Sequence, residues 1–178
     1  MPAVPTPPTI SPGVLTASHL AQYTAAINFM LNPPIADVRQ AVAQSIPNAT
    51  WTAATFDTED VDTDVDGTGG HSTSSNTSRY TARYAGWYWV GGGPAFAANA
   101  TGVRGTYWTN NGVALSAAQT LVSASSANET CIPARPRLVY LAAGDYLEMW
   151  VYQSSGGALN ISIAGGATMN MAVAWKSR

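Results

Sequence analysis

Leu138-Val-Tyr-Leu-Ala-Ala-Gly-Asp-Tyr-Leu-Glu-Met-Trp-Val-Tyr-Gln-Ser-Ser-Gly-Gly157 reads as a strand, a Gly144-Asp145 corner, a longer strand and a Ser-Ser-Gly-Gly turn, the pattern of a β-hairpin. Side chains alternate across a strand, so Leu147, Met149 and Val151 share one face, and Tyr146, Glu148, Trp150 and Tyr152 share the other. The first set is an ordinary core face. The second is too aromatic for open water and carries a carboxylate that a sealed core does not accept unpaired. Tyr146, Glu148, Trp150 and Tyr152 are therefore read as a face covered by another subunit or domain, and are the expected subunit contact.

Working outward, the same grammar repeats. Short apolar runs split by Gly, Asn or Ser turns follow Val38–Ile46 and Thr50–Phe56 and continue to Met169–Trp175, about ten strands in all. The expectation is an all-β chain, a jelly-roll β-sandwich. Gly86-Trp-Tyr-Trp-Val90 is apolar on both faces, as in a strand covered on both sides. In the last strand Met169, Met171, Val173 and Trp175 face one way, while Asn170, Ala172 and Ala174 form a small-residue face that a neighbouring chain can approach closely.

Before the strands lies a different kind of sequence. Residues 1–15 hold five prolines among small residues and read as an extended arm that orders only on a partner. Thr16 can cap a helix whose Leu20, Tyr23, Ile27 and Met30 or Leu31 recur at three- and four-residue spacing until Pro33-Pro34 stops it. The division expected is an arm-and-helix unit at residues 1–35 and a jelly-roll domain at residues 36–178. Leu20, Tyr23 and Ile27 are the candidate docking residues of the helix.

Composition bounds the partners. Charged residues make up 10% of the 178-residue chain, against about 25% in an ordinary soluble domain, so either the surface is Ser, Thr, Asn and Gly or much of it is covered in an assembly. A net charge of −2 with scattered arginines excludes a nucleic-acid partner. No apolar run reaches the ~20 residues of a membrane span, and the proline-rich start is not read as a signal peptide. Cys131 has no partner for a disulfide, which fits a reducing cytoplasm.

Three clusters invite chemistry. Asp62-Thr-Asp-Val-Asp-Gly67 matches the opening of a calcium loop, with Asp62, Asp64 and Asp66 as ligands, but Thr73 stands where the bidentate Glu belongs. A solvated acidic loop is the simpler reading. Ser72, His71 and Asp66 lack any motif that frames a catalytic triad, and Gly91-Gly-Gly93 lacks the Lys-Ser/Thr of a phosphate loop. The chain is read as a non-enzyme without a cofactor.

Phe56-Asp-Thr-Glu59, Ala85-Gly-Trp-Tyr88, Asn99-Ala-Thr-Gly-Val-Arg104, Asn110-Asn-Gly112, Leu141-Ala-Ala-Gly-Asp-Tyr-Leu-Glu148 and Tyr152-Gln-Ser-Ser-Gly-Gly157 resemble the trimeric jelly rolls of the tumour necrosis factor and complement globular-head type. The proline-rich start and the segment ending Asn28-Phe-Met-Leu-Asn-Pro-Pro34 are similar to small minor-tail and head-decorating proteins of actinobacterial phages. The resemblance implies a homotrimer made in the host cytoplasm and carried on a virion exterior as a capsid-decoration protein. Its partner is then a major capsid or tail protein. Alternatives are a minor tail protein, or an adhesin module whose exposed aromatic rings meet a host-surface glycan.

Overall fold

The computed structural model describes residues 2–9 and 15–178. Residues 1 and 10–14 of the expected arm lie outside them. Helix α1 spans Ala17–Leu31, and its start is fixed by a reciprocal cap in which the His19 amide donates to the Thr16 hydroxyl while the Thr16 amide donates to His19 Nδ1. Fifteen strands follow: β1 Ile35–Arg39, β2 Ser45–Ile46, β3 Thr52–Ala53, β4 Thr58–Thr63, β5 Arg79–Thr81, β6 Gly86–Gly93, β7 Ala95–Phe96, β8 Val103–Asn110, β9 Val113–Ala114, β10 Thr120–Ser123, β11 Thr130–Cys131, β12 Arg137–Leu141, β13 Tyr146–Gln153, β14 Leu159–Asn160 and β15 Asn170–Ser177. Six are only two residues long, β2, β3, β7, β9, β11 and β14.

Two sheets face each other. One has the order β12-β6-β15-β1-β4, the other β10-β8-β13-β3 with β5 on β13 and β9 on β8, and every pairing is antiparallel. Strands of each sheet bury alternate residues, so the space between them fills with Tyr88, Val90, Val139, Leu141, Met171 and Val173 from the first and Trp108, Leu147, Met149 and Val151 from the second. Trp108 is wholly buried, and its indole N–H still finds an acceptor in the Arg135 carbonyl at 3.0 Å. This is the jelly-roll sandwich expected from the sequence.

The hairpin expectation is corrected. Leu138–Leu141 and Tyr146–Gln153 do not pair, because β12 lies at the edge of the five-stranded sheet and β13 in the centre of the six-stranded one. The Gly144-Asp145 corner carries the chain across the sandwich. Gly144 takes φ +94°, its amide donates to the Ala82 carbonyl at 2.7 Å, and the Asp145 carboxylate accepts from the Ala142 amide at 2.8 Å. Local alternation is identical for a hairpin and for a sheet-crossing corner, so only long-range pairing decides.

Two other expectations shift. The strand read over Val38–Ile46 is broken at Gln40–Gln44, where the Asp57 carboxylate binds the Ala41 and Val42 amides at 2.6 and 2.8 Å and the Gln40 side chain turns inward to the Thr55 carbonyl. The acidic stretch read as a solvated loop contains β4, which pairs with β1 across a register shift between Asp37 and Val38. An edge strand facing water tolerates the charges that make the stretch look like a loop.

Candidate functional site

The outer face of β13 bears the residues expected at a subunit contact. Glu148 is 5% exposed, and its carboxylate accepts from Ser78 Oγ at 2.8 Å, Arg79 Nε at 3.1 Å and Trp150 Nε1 at 3.3 Å. Glu148 as a carboxylate awaiting another chain is thus corrected: its partners lie on β5 and the segment before it, sixty-nine and seventy residues upstream. Tyr146 lies under the Arg79 guanidinium at 4.0 Å. Trp150 runs parallel to Tyr107 of β8, and Trp51 leans between Tyr107 and Tyr152 with ring centroids 4.3 and 5.0 Å away. All four expected residues therefore have cover from their own chain, half-buried or better.

The opposite outer face is barer. Tyr88 and Val90 point into the core, whereas Trp87 and Trp89 stand 43% and 49% exposed on the outside of β6. Leu138 and Tyr140 of β12 are equally exposed beside them. Cross-strand pairs align Tyr140 with Trp87 and Leu138 with Trp89, so four large apolar side chains form one ridge along the sheet edge. Next to it, Gly91, Ala172 and Ala174 make a low floor. The sequence pointed to Gly86–Val90 and to the small face of the last strand, but Leu138 and Tyr140 went unread although they alternate with buried Val139 and Leu141.

Helix α1 closes one end of the sandwich. Phe29 is 1% exposed and packs edge-on between Tyr84 and Trp175, with ring centroids 4.9 and 4.8 Å away. Ala26 is buried beside it in sequence and on the same side of the helix. Of the candidate docking residues, Leu20 and Ile27 are about half exposed on the helix side away from Phe29, together with Leu31. Tyr23 is half-buried because its hydroxyl donates to the Pro8 carbonyl of the arm at 3.4 Å. Val4 of the arm accepts from the Arg178 guanidinium, so the described part of the arm, residues 2–9, lies on its own chain.

The acidic cluster is a clamp. Asp62 accepts from the Gly70 and His71 amides at 3.0 and 2.8 Å, while Asp64 and Asp66 both turn to Arg83, which also donates to the Thr68 carbonyl at 2.9 Å. The hydrogen bonds from Arg83 hold the Asp66 carboxyl far below the usual carboxylate range, and burial pushes that of Asp64 up. The three candidate calcium ligands Asp62, Asp64 and Asp66 thus do not converge on a common point. Nor do Ser72, His71 and Asp66: the buried His71 ring meets Glu59 and the Thr77 carbonyl at 3.0 and 3.1 Å, and the Ser72 hydroxyl meets Ser74 and Ser75.

The two sheets, their strand order and the corner between β12 and β13 define a jelly roll of the tumour necrosis factor type. Among solved structures, the chain is similar to murine APRIL at pH 5.0, with 13% identity, a TM-score of 0.57, and coverage of 79% of this chain and 98% of that one. Murine APRIL at pH 8.0 gives 12% identity and a TM-score of 0.56 over the same shares. No protein-family model and no curated protein sequence matches. Among the described residues, no helix is long and apolar enough to cross a membrane.

Proposed function

We propose that the chain is a structural subunit of a tailed-phage virion, a homotrimer carried on the particle exterior as a capsid-decoration protein. The observation that carries this reading is a helix with two apolar sides. Phe29 and Ala26 fasten it to the jelly roll, and Leu20, Ile27 and Leu31 face outward with no partner among the described residues. Residues 1–36 contain no Asp, Glu, Lys or Arg, so the helix side that bears Leu20, Ile27 and Leu31 is itself uncharged. Such a surface suits permanent attachment to a capsid or tail protein better than reversible encounter, which charge normally steers.

Residues 1–35 form the attachment unit in this reading, with Leu20, Tyr23 and Ile27 at the contact, and residues 36–178 the self-associating domain. Three attachment units on one trimer bind with avidity, so a modest contact in each gives a lasting hold. Quantitative mass spectrometry of purified virions tests the reading. Hundreds of copies per particle are expected; a handful places the protein in the tail, and its absence from purified virions overturns the structural role.

A further inference from the structure

From the turn between β8 and β9 we infer that Asn111 is a site of covalent modification, where the side-chain amide is lost by hydrolysis, and that the fold holds this site closed through Asp145. Asn111 alone among the asparagines of the chain is followed by glycine. The pair is exposed and forms the two-residue turn of the β8–β9 hairpin, with φ of +51° at Asn111 and +78° at Gly112. A side chain on the following residue hinders its backbone nitrogen from approaching the asparagine Cγ, and glycine, with no Cβ, removes that barrier. The Gly112 nitrogen attacks Asn111 Cγ, a C–N bond forms, and the side-chain nitrogen leaves as ammonia with the Gly112 amide proton. The cyclic imide then adds one water, and cleavage of either of its C–N bonds leaves an aspartate or an isoaspartate at position 111. Water is the one co-reactant.

The β12–β13 corner supplies the catch. Asn111 Nδ2 donates to Asp145 Oδ1 at 2.7 Å, and Asn111 Oδ1 accepts from the Tyr146 amide at 2.9 Å. Both ends of the carboxamide are thus held by residues thirty-four and thirty-five positions downstream, and Cγ cannot swing onto the Gly112 nitrogen until both bonds break. The Asn111 amide also donates to the Tyr146 carbonyl at 2.9 Å, which fixes the turn itself against the corner. Asp145 is seated in its own right, since its other oxygen accepts from the Ala142 amide at 2.8 Å. The bond from Asn111 is the first reason that its carboxyl lies below the usual carboxylate range. Loss of the amide replaces the donor by a carboxylate facing that of Asp145, and like charges at this distance repel. The product does not re-form the catch, so the change runs one way.

The test incubates the full chain in mildly alkaline buffer and follows the gain of acid at position 111 by peptide mapping and mass spectrometry, with near-ultraviolet circular dichroism as the control for folding. Unfolded in guanidinium chloride, the parent is expected to convert at Asn111 ahead of every other asparagine. Folded, it is expected to convert at least about tenfold more slowly, the weight of one hydrogen bond to a charged group. Folded Asp145→Ala is expected to recover about that factor, and Asp145→Asn, which keeps the shape but weakens the acceptor, to lie between it and the parent. An unfolded chain in which Asn111 converts no faster than the other asparagines overturns the site. A folded parent as fast as the unfolded chain overturns the catch, and either variant, folded and as slow as the parent, removes Asp145 from it.

Discussion

The Arg83 guanidinium lies between the carboxylates of Asp64, whose side chain is 2% exposed, and Asp66, which is half in water. One cation thereby fastens the Asp64–Thr68 turn to the strand-connecting segment after β5. Arg83→Ala leaves the Asp64 carboxylate buried without its partner, which costs about 2 kcal/mol and lowers the melting temperature by roughly 4–8 °C in a chain of this size. The pH dependence has a definite sign. Asp66 is held below its unfolded value, so its share of the stability is complete above about pH 4 and is lost only as pH falls further, toward its folded value. Asp64, pushed up by burial, acts in the opposite direction. Thermal melts of the parent and Arg83→Ala at pH 7 and pH 3 should differ by less at the lower pH.

Phe29 and Leu20 occupy opposite sides of α1 and should behave oppositely. Phe29→Ala empties a site lined by Tyr84 and Trp175 and is expected to cost about 3–4 kcal/mol. Leu20→Ser and Ile27→Ser change exposed positions and should stay within about 0.5 kcal/mol of the parent. Urea unfolding followed by tryptophan fluorescence reads both, since Trp175 lies against Phe29. Equal losses from both kinds of substitution would mean that the outward side is also packed.

Trp150→Ala separates the two outer sheet faces. Removing the indole takes a ring from beside Tyr107 and a donor from Glu148, a cost of about 2 kcal/mol for a half-buried side chain. The mass in solution should not change, because the cover over this face comes from Trp51, Tyr107 and Tyr152 of the same chain. Chemical denaturation and light scattering on one sample give both numbers. Dissociation of an oligomeric parent by Trp150→Ala would place the subunit contact on β13.

The contrast between Glu148 and Trp89 shows what the sequence made legible. Alternation in β13, β6 and β15 separates inner from outer residues, since the period of a strand is a local property, and the core side of each strand follows from it. Which outer face is bare is a property of the whole fold. Glu148 looked unsatisfied because Ser78 and Arg79 are distant in sequence, and Trp89 looked covered because its neighbours Trp87 and Val90 are apolar. The acidic strand β4 was hidden for a related reason: its composition suits a loop, and its pairing with β1 supplies the backbone partners that composition does not foretell. Helix α1, bounded by the Thr16 cap and Pro33-Pro34, needed only local signals.

Val4 and Arg178 meet at the end of the sandwich closed by α1, while the Ser155–Gly157 turn lies beyond the far end of β13. A Cβ added at Gly156 or Gly157 would touch nothing within 4 Å. Peptide cargo placed beside Val4 or Arg178 would therefore emerge next to the helix, on the side that the proposed attachment needs free. Cargo grafted into the distant turn would instead lie clear of the helix, one display point per chain, provided the graft keeps the Gly157 carbonyl that accepts from buried Gln153 Nε2 and the Gly156 amide that donates to Asn48 Oδ1.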